Sequence, residues 1–118
     1  GGKGNVEQIV QATKQPCPWY FPSISEYTNL LEQQQQGHHH HGGFEVVHAS
    51  LFDRPVTLEG GRDGLKNWLE MFGGAMFEGM GADEKSAVIA NAEDILRDAL
   101  FDGTQWTADY RRIRIVAR

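Results

Sequence analysis

Apolar positions along this chain fall into short segments whose spacing predicts one element after another. Val6, Ile9, Val10 and Thr13 make one stripe, which predicts a helix from about Val6 to Lys14. Asn5 stands where an N-cap belongs, and Gln8 lies three residues later, the spacing of a capping box. Pro16 and Pro18 then interrupt the helix by removing donors and forcing extended geometry on the residues before them. After the aromatic run Trp19-Tyr20-Phe21, a second capping box, Ser23 with Glu26, predicts a helix whose inward face is Tyr27, Leu30 and Leu31.

Phe44 to Phe52 carries Phe, Val and Leu on both alternating faces, so the expectation is a strand covered from both sides and ended by Asp53-Arg54-Pro55. Leu65, Trp68, Leu69 and Phe72 recur at i, i+3, i+4 and i+7, and Gly73-Gly74 follows where a helix should stop. Met76, Phe77 and Met80 share one face of a short helical turn. A longer helix is expected from about Asp83 to Leu100, with Val88, Ala92, Ile95, Leu96 and Ala99 inward. Asp102-Gly103 turns the chain into a final strand from Trp106 to Ala117, rich in β-favouring residues. Four or five helices with two clear strands make an α+β class with little sheet of its own.

The chain has 118 residues, 40% of them hydrophobic and 23% charged, which suits an ordinary globular domain, and a single domain over 1–118 is expected. The net charge is -5 and the pI about 5.4. Lys and Arg never run beyond two in a row, so nucleic acid is not an expected partner. No apolar stretch reaches the roughly 20 residues that span a bilayer, and the first residues lack a leader pattern, so neither membrane nor export is expected. The single cysteine, Cys17, has no internal partner, which fits a cytoplasmic setting, and it reads as a buried small hydrophobe or spectator thiol.

Arg111, Arg112, Arg114 and Arg118 line the last strand, where they either discourage edge pairing or form an anion site for a carboxylate. His38 to His41 stand together between glycines. Adjacent imidazoles do not converge on one tetrahedral ion without a flexible loop, and no Cys, Asp or Glu lies beside them, so an incidental polar loop is preferred to a metal site. His48 reads as a sheet or core histidine rather than a base.

Five strings carry a family resemblance: GGKGN at 1–5, PWYFPSISEYTNLLEQ at 18–33, GFEVVHASLFDRP at 43–55, GLKNWLEMF at 64–72 and WTADYRRIRIVA at 106–117. In order and most spacings they resemble the C-terminal part of class I S-adenosylmethionine-dependent methyltransferases of the trans-aconitate methyltransferase-like group. The resemblance implies helices plus two strands matching the sixth and antiparallel seventh strands of a Rossmann-like α/β sheet. It also implies that the donor-binding half, with its glycine-rich turn and acidic ribose partner, is not among these residues. S-adenosylmethionine is thus implied for the full-length family and no cofactor for this chain alone. Two departures stand out. The join between Lys14 and Pro18 is short, and Gln35 to Gly42 reads as an insertion.

As the resemblance implies for a substrate-side segment, the candidate substrate-binding residues are Trp19, Tyr20, Tyr27, Arg54, Trp68 and Tyr110. The aromatic members equally suit a core, and Arg54 equally suits a local pair with Asp53. No catalytic residue is assigned. A small molecule is one expected partner. Because Phe44 to Phe52 offers apolar faces and an open edge, a homodimer or a chain supplying the missing sheet is the other.

Overall fold

The computed structural model describes residues 1–33 and 44–118; the expected insertion at Gln35 to Gly42, with His38 to His41, lies outside the described residues. The chain divides into two compact units. One comprises Gly1–Asn5, Phe21–Arg54 and Arg111–Arg118, the other Val6–Tyr20 and Pro55–Tyr110.

In the first unit β1 (Val46–Asp53) pairs antiparallel with β4 (Arg111–Ala117), Leu51 facing Ile113 and Asp53 facing Arg111, with an irregularity between Val46 and His48. Gly2 lies against this ribbon, donating its N–H to the Arg111 carbonyl at 3.1 Å. A Cβ there would run into Leu51 Cδ1 and fall 2.9 Å from Ile113 Cβ, so only glycine fits the approach. Asn5 Oδ1 accepts the Arg111 N–H at 2.6 Å, and the Arg111 guanidinium binds Asp53 at 2.9 Å.

Helix α2 (Ile24–Gln33) lies against β1 and starts on the capping box expected from sequence. Glu26 N–H donates to Ser23 Oγ and Ser23 N–H to Glu26 Oε1, both at 3.1 Å. Bonding to Ser23 holds the Glu26 carboxyl below its ordinary range. Ser23→Ala removes the Oγ that accepts the Glu26 N–H and, as the loss of an N-cap, should cost about 1 kcal/mol by urea denaturation. Because the Glu26 carboxyl sits below its ordinary range, its stabilising share is present above that range and fades as pH falls through the lowered value.

Two expectations fail in this unit. Tyr27 and Leu30 are 37% and 52% exposed, and the less exposed stripe of α2 is Ile24, Thr28 and Leu31, so the helix is rotated from the face its larger side chains suggest. Strand β1 is not covered on both sides either: Val47 and Phe52 are exposed, because among the described residues its sheet has only two strands.

The second unit contains α1 (Glu7–Thr13), β2 (Val56–Thr57), a 3₁₀ turn (Gly61–Asp63), α3 (Gly64–Phe72), α4 (Ala82–Leu100) and β3 (Thr107–Ala108). Its core is Ile9, Leu65, Leu69, Ile89, Ala92, Leu96 and Trp106, all below 5% exposed. The inward stripe of α4 is Ile89, Ala92, Leu96 and Leu100, whereas Ile95 is 52% exposed. The stripe expected from sequence was turned by part of a helical turn, since both choices satisfy the same period. Phe72, expected inward on α3, is 51% exposed. The expected final strand is two pieces, β3 and β4, interrupted at Asp109 and Tyr110.

The Asn5–Gln8 capping box does not form. Asn5 is spent on Arg111, Val6 takes the N-cap position with φ 46, and the Gln8 N–H is taken by Asp109 Oδ2 at 2.9 Å. A β-branched residue at positive φ is strained, and here it is fully buried with its N–H on the Asp109 carbonyl at 3.0 Å. The other carboxylate oxygen of Asp109 is buried without a hydrogen-bond partner among the described residues. Burial raises its pKa above the usual range despite the Gln8 bond.

A carboxyl whose folded pKa is raised destabilises the fold at neutral pH and does so less as pH falls through the raised value. Asp109→Asn, which keeps an acceptor for Gln8, should therefore be neutral to stabilising at pH 7. Its advantage should vanish below the ordinary carboxylate range. Thermal melts between pH 3 and pH 8 check this, and a variant less stable at every pH would refute it.

Candidate small-molecule pocket

One hollow of the second unit runs along α3. Strand β2 pairs with β3, and Leu58 N–H continues the pairing by donating to the Trp106 carbonyl at 2.8 Å, which fixes Leu58 and Glu59 at the end of β2. Gly60 then turns the chain at φ 107, a conformation that favours glycine. The chain enters α3, whose Gly64, Asn67, Trp68, Met71 and Phe72 recur at helical spacing on one face. Together with Leu58 and Glu59 these residues enclose an open hollow of about 170 Å³. Glu59 is the one charged side chain among its lining residues.

Trp68, in its lining, is held by one hydrogen bond and three ring contacts. Trp68 Nε1–H donates to Tyr110 Oη at 2.8 Å, which also satisfies a buried indole donor. The Trp68 ring meets Tyr110 edge-on at 6.4 Å, Trp19 edge-on at 6.0 Å and Phe72 at 5.5 Å and 51°. Met71 stays 73% exposed at the rim, where a thioether adapts to varied shapes.

A second hollow of about 320 Å³ is lined by Arg62, Arg97, Phe101, Gly103 and Trp106. Arg97 is already paired with Asp94 at 2.8 Å, and Trp106 Nε1–H is bound to the Arg62 carbonyl. Glu93 on the same helix is raised in pKa chiefly by burial, with Arg97 acting against it and Asp63 adding to it.

Of the six candidate residues, the fold brings Trp19, Trp68 and Tyr110 into one aromatic cluster. Tyr20 belongs to the same unit and is 63% exposed. Tyr27 and Arg54 belong to the other unit, both exposed, and the expected local partner of Arg54, Asp53, is held by Arg111 instead. Arg112 and Arg114 are exposed on alternating positions of β4, Arg118 is exposed just beyond it, and His48 is exposed on β1. Cys17 is exposed rather than buried, its thiol 3.4 Å from the Trp19 carbonyl. Sequence reasoning missed Leu58, Glu59 and Asn67. The Gly60-Gly61 pair just before a strongly periodic helix was the available signal, because paired glycines mark a turn and a turn there folds the residues before it back toward the helix.

Among the described residues no group of three His, Cys, Asp or Glu side chains could hold a metal, and no helix is long and apolar enough to cross a membrane. No family model matches the chain. It is similar to an uncharacterized methyltransferase of Schizosaccharomyces pombe, 31% identical over 133 aligned residues that take in 99% of this chain and 46% of the relative. The chain thus spans about half the length of the curated relative it matches, and its relationship is methyltransferase-like.

Proposed function

We propose that this segment forms the substrate side of a small-molecule methyltransferase that uses S-adenosylmethionine, the finer placement in the trans-aconitate methyltransferase-like group included. The observation that carries the reading is the Trp68 floor, pinned by Tyr110 beneath a hollow of one-ring size, in a chain similar to a methyltransferase over nearly all its length. Methyl transfer from a sulfonium asks the protein mainly to align acceptor with methyl group and to exclude water. A rigid apolar floor does both. These residues contain no glycine-rich donor turn, so the segment should bind no S-adenosylmethionine alone.

Calorimetry should show no donor binding to this chain. Tritium transfer to small acceptors should appear when the part of the S. pombe relative outside the matched region is added. Donor binding by the chain alone at micromolar affinity would remove the donor-free assignment, and absence of transfer with acceptor bound would remove the methyltransferase reading.

A second reading is favoured by the exposed Val47, Phe52 and Val116 on the β1–β4 ribbon, which suit burial against another copy of this chain. Light scattering decides it, since a stable monomer at micromolar concentration excludes an obligate dimer.

A further inference from the structure

The hydrogen bonds of the β1–β4 ribbon show which backbone groups the outer edge of β1 presents. Arg111 turns its carbonyl to the Gly2 N–H and its own N–H to Asn5 Oδ1, so both its backbone groups face away from β1. In an antiparallel pair, residues directly opposite share that choice and successive residues alternate. Asp53, opposite Arg111, therefore turns its groups outward, and so do Leu51 and Ala49, opposite Ile113 and Ile115. The other end agrees. Glu45 and Arg118 exchange bonds of 2.7 and 2.9 Å, and Val46, one residue on, sends its N–H outward to Glu32 Oε2 at 3.4 Å. Among the described residues no hydrogen bond reaches the outward groups of Ala49 or Leu51. From Val46 to Phe52 the strand has no Pro, Lys, Arg, Asp or Glu, the residues that guard an edge against pairing.

We infer that this edge pairs antiparallel with the same edge of a second copy, centred on Ser50, joining two ribbons into one four-stranded sheet. This contact presupposes the reading in which another copy covers the ribbon, and it adds the surface and the register. Centred on Ser50, Ala49 of each copy meets Leu51 of the other and exchanges both backbone bonds with it, while His48 meets Phe52 on the opposite face. The exposed Arg54, whose neighbour Asp53 is held by Arg111, then comes alongside Val46 of the other copy, where the Glu32 carboxylate sits. Opposite charges thus meet at both ends of the junction. Centring on Ala49 would instead set Asp53 against Glu45, and centring on Leu51 would set Arg54 against His48 and run Pro55 into the irregularity after Val46.

The test uses this chain with Cys17→Ser, which removes its exposed thiol. Ser50→Cys in that background should give a covalent dimer on mild oxidation, read on a non-reducing gel, because facing Cα atoms about 4.5 Å apart lie within disulfide reach. Ala49→Pro removes an outward N–H and no bond to β4, so light scattering should find a monomer where the parent is a dimer. Arg54→Glu should weaken the dimer about tenfold, since two pairs are inverted at once, and adding Glu32→Arg should restore it. A parent dimer that yields no Ser50→Cys cross-link, or that is untouched by both Ala49→Pro and Arg54→Glu, overturns the edge pairing and leaves the dimer reading in place. A parent that stays monomeric at micromolar concentration overturns both. Should circular dichroism show that Ala49→Pro unfolds the ribbon, the cross-link and the charge exchange still decide.

Discussion

Trp68→Ala should lower the unfolding free energy by about 3–5 kcal/mol, the range for removing a large buried aromatic whose site cannot fully collapse. The side chain is 8% exposed, and its ring meets Trp19, Phe72 and Tyr110. Three neighbours would lose their packing surface at once, and Tyr110 Oη would lose its donor. Trp68→Phe keeps much of the ring contact and removes the hydrogen bond, so it should cost clearly less. Tyr110→Phe should cost about 1–3 kcal/mol by leaving the indole N–H without its acceptor. The two conservative changes should be non-additive, since the second to be made has no bond left to break. Urea denaturation followed by circular dichroism gives all four values. A Trp68→Ala cost below 1 kcal/mol, or strict additivity of the conservative pair, would show that the cluster is surface decoration and not the pinned floor of a pocket.

Trp106→Ala should be comparably severe, again about 3–5 kcal/mol. Trp106 is the largest of the fully buried side chains, at 1% exposure, and three separate attachments converge on it. Its indole N–H donates to the Arg62 carbonyl at 2.9 Å, its ring lies 4.9 Å from that of Phe101, and its own carbonyl accepts the Leu58 N–H. The last of these is a backbone contact that alanine would keep, but the first two hold the 3₁₀ turn and the end of α4 against β3. Loss of the ring should therefore loosen the Leu58–Glu59 wall of the pocket as well as the core. Amide hydrogen exchange should speed up first at Leu58 and Asp63. A variant that melts within a few degrees of the parent, with unchanged exchange at those amides, would contradict this account.

Local patterns in the sequence determined most of the element inventory. The Leu65–Phe72 spacing marked α3, the Ser23–Glu26 box marked the start of α2, and prolines and paired glycines marked where helices end. These signals are legible because they act between residues three or four apart and need no distant partner. Trp19, Tyr20 and Tyr27 suit a ligand wall as aromatics with polar tips, yet of these only Trp19 joins the Trp68–Tyr110 cluster.

What only the tertiary structure decided was which of several equally regular faces turns inward. The 3.6-residue period of α4 allows stripes through Ile95 or through Ile89, and packing selects the second. Competition for hydrogen-bond donors was equally invisible. Asn5 has the right type and spacing to cap α1, yet Arg111, 106 residues away in sequence, claims its side chain, and Asp109 takes over at α1. Glu59 reaches the pocket only because β2 pairs with β3 and Gly60 then turns, a juxtaposition set by residues from 56 to 108. Short-range spacing is written along the chain, whereas the choice among faces and partners depends on free energies that exist only once distant segments meet.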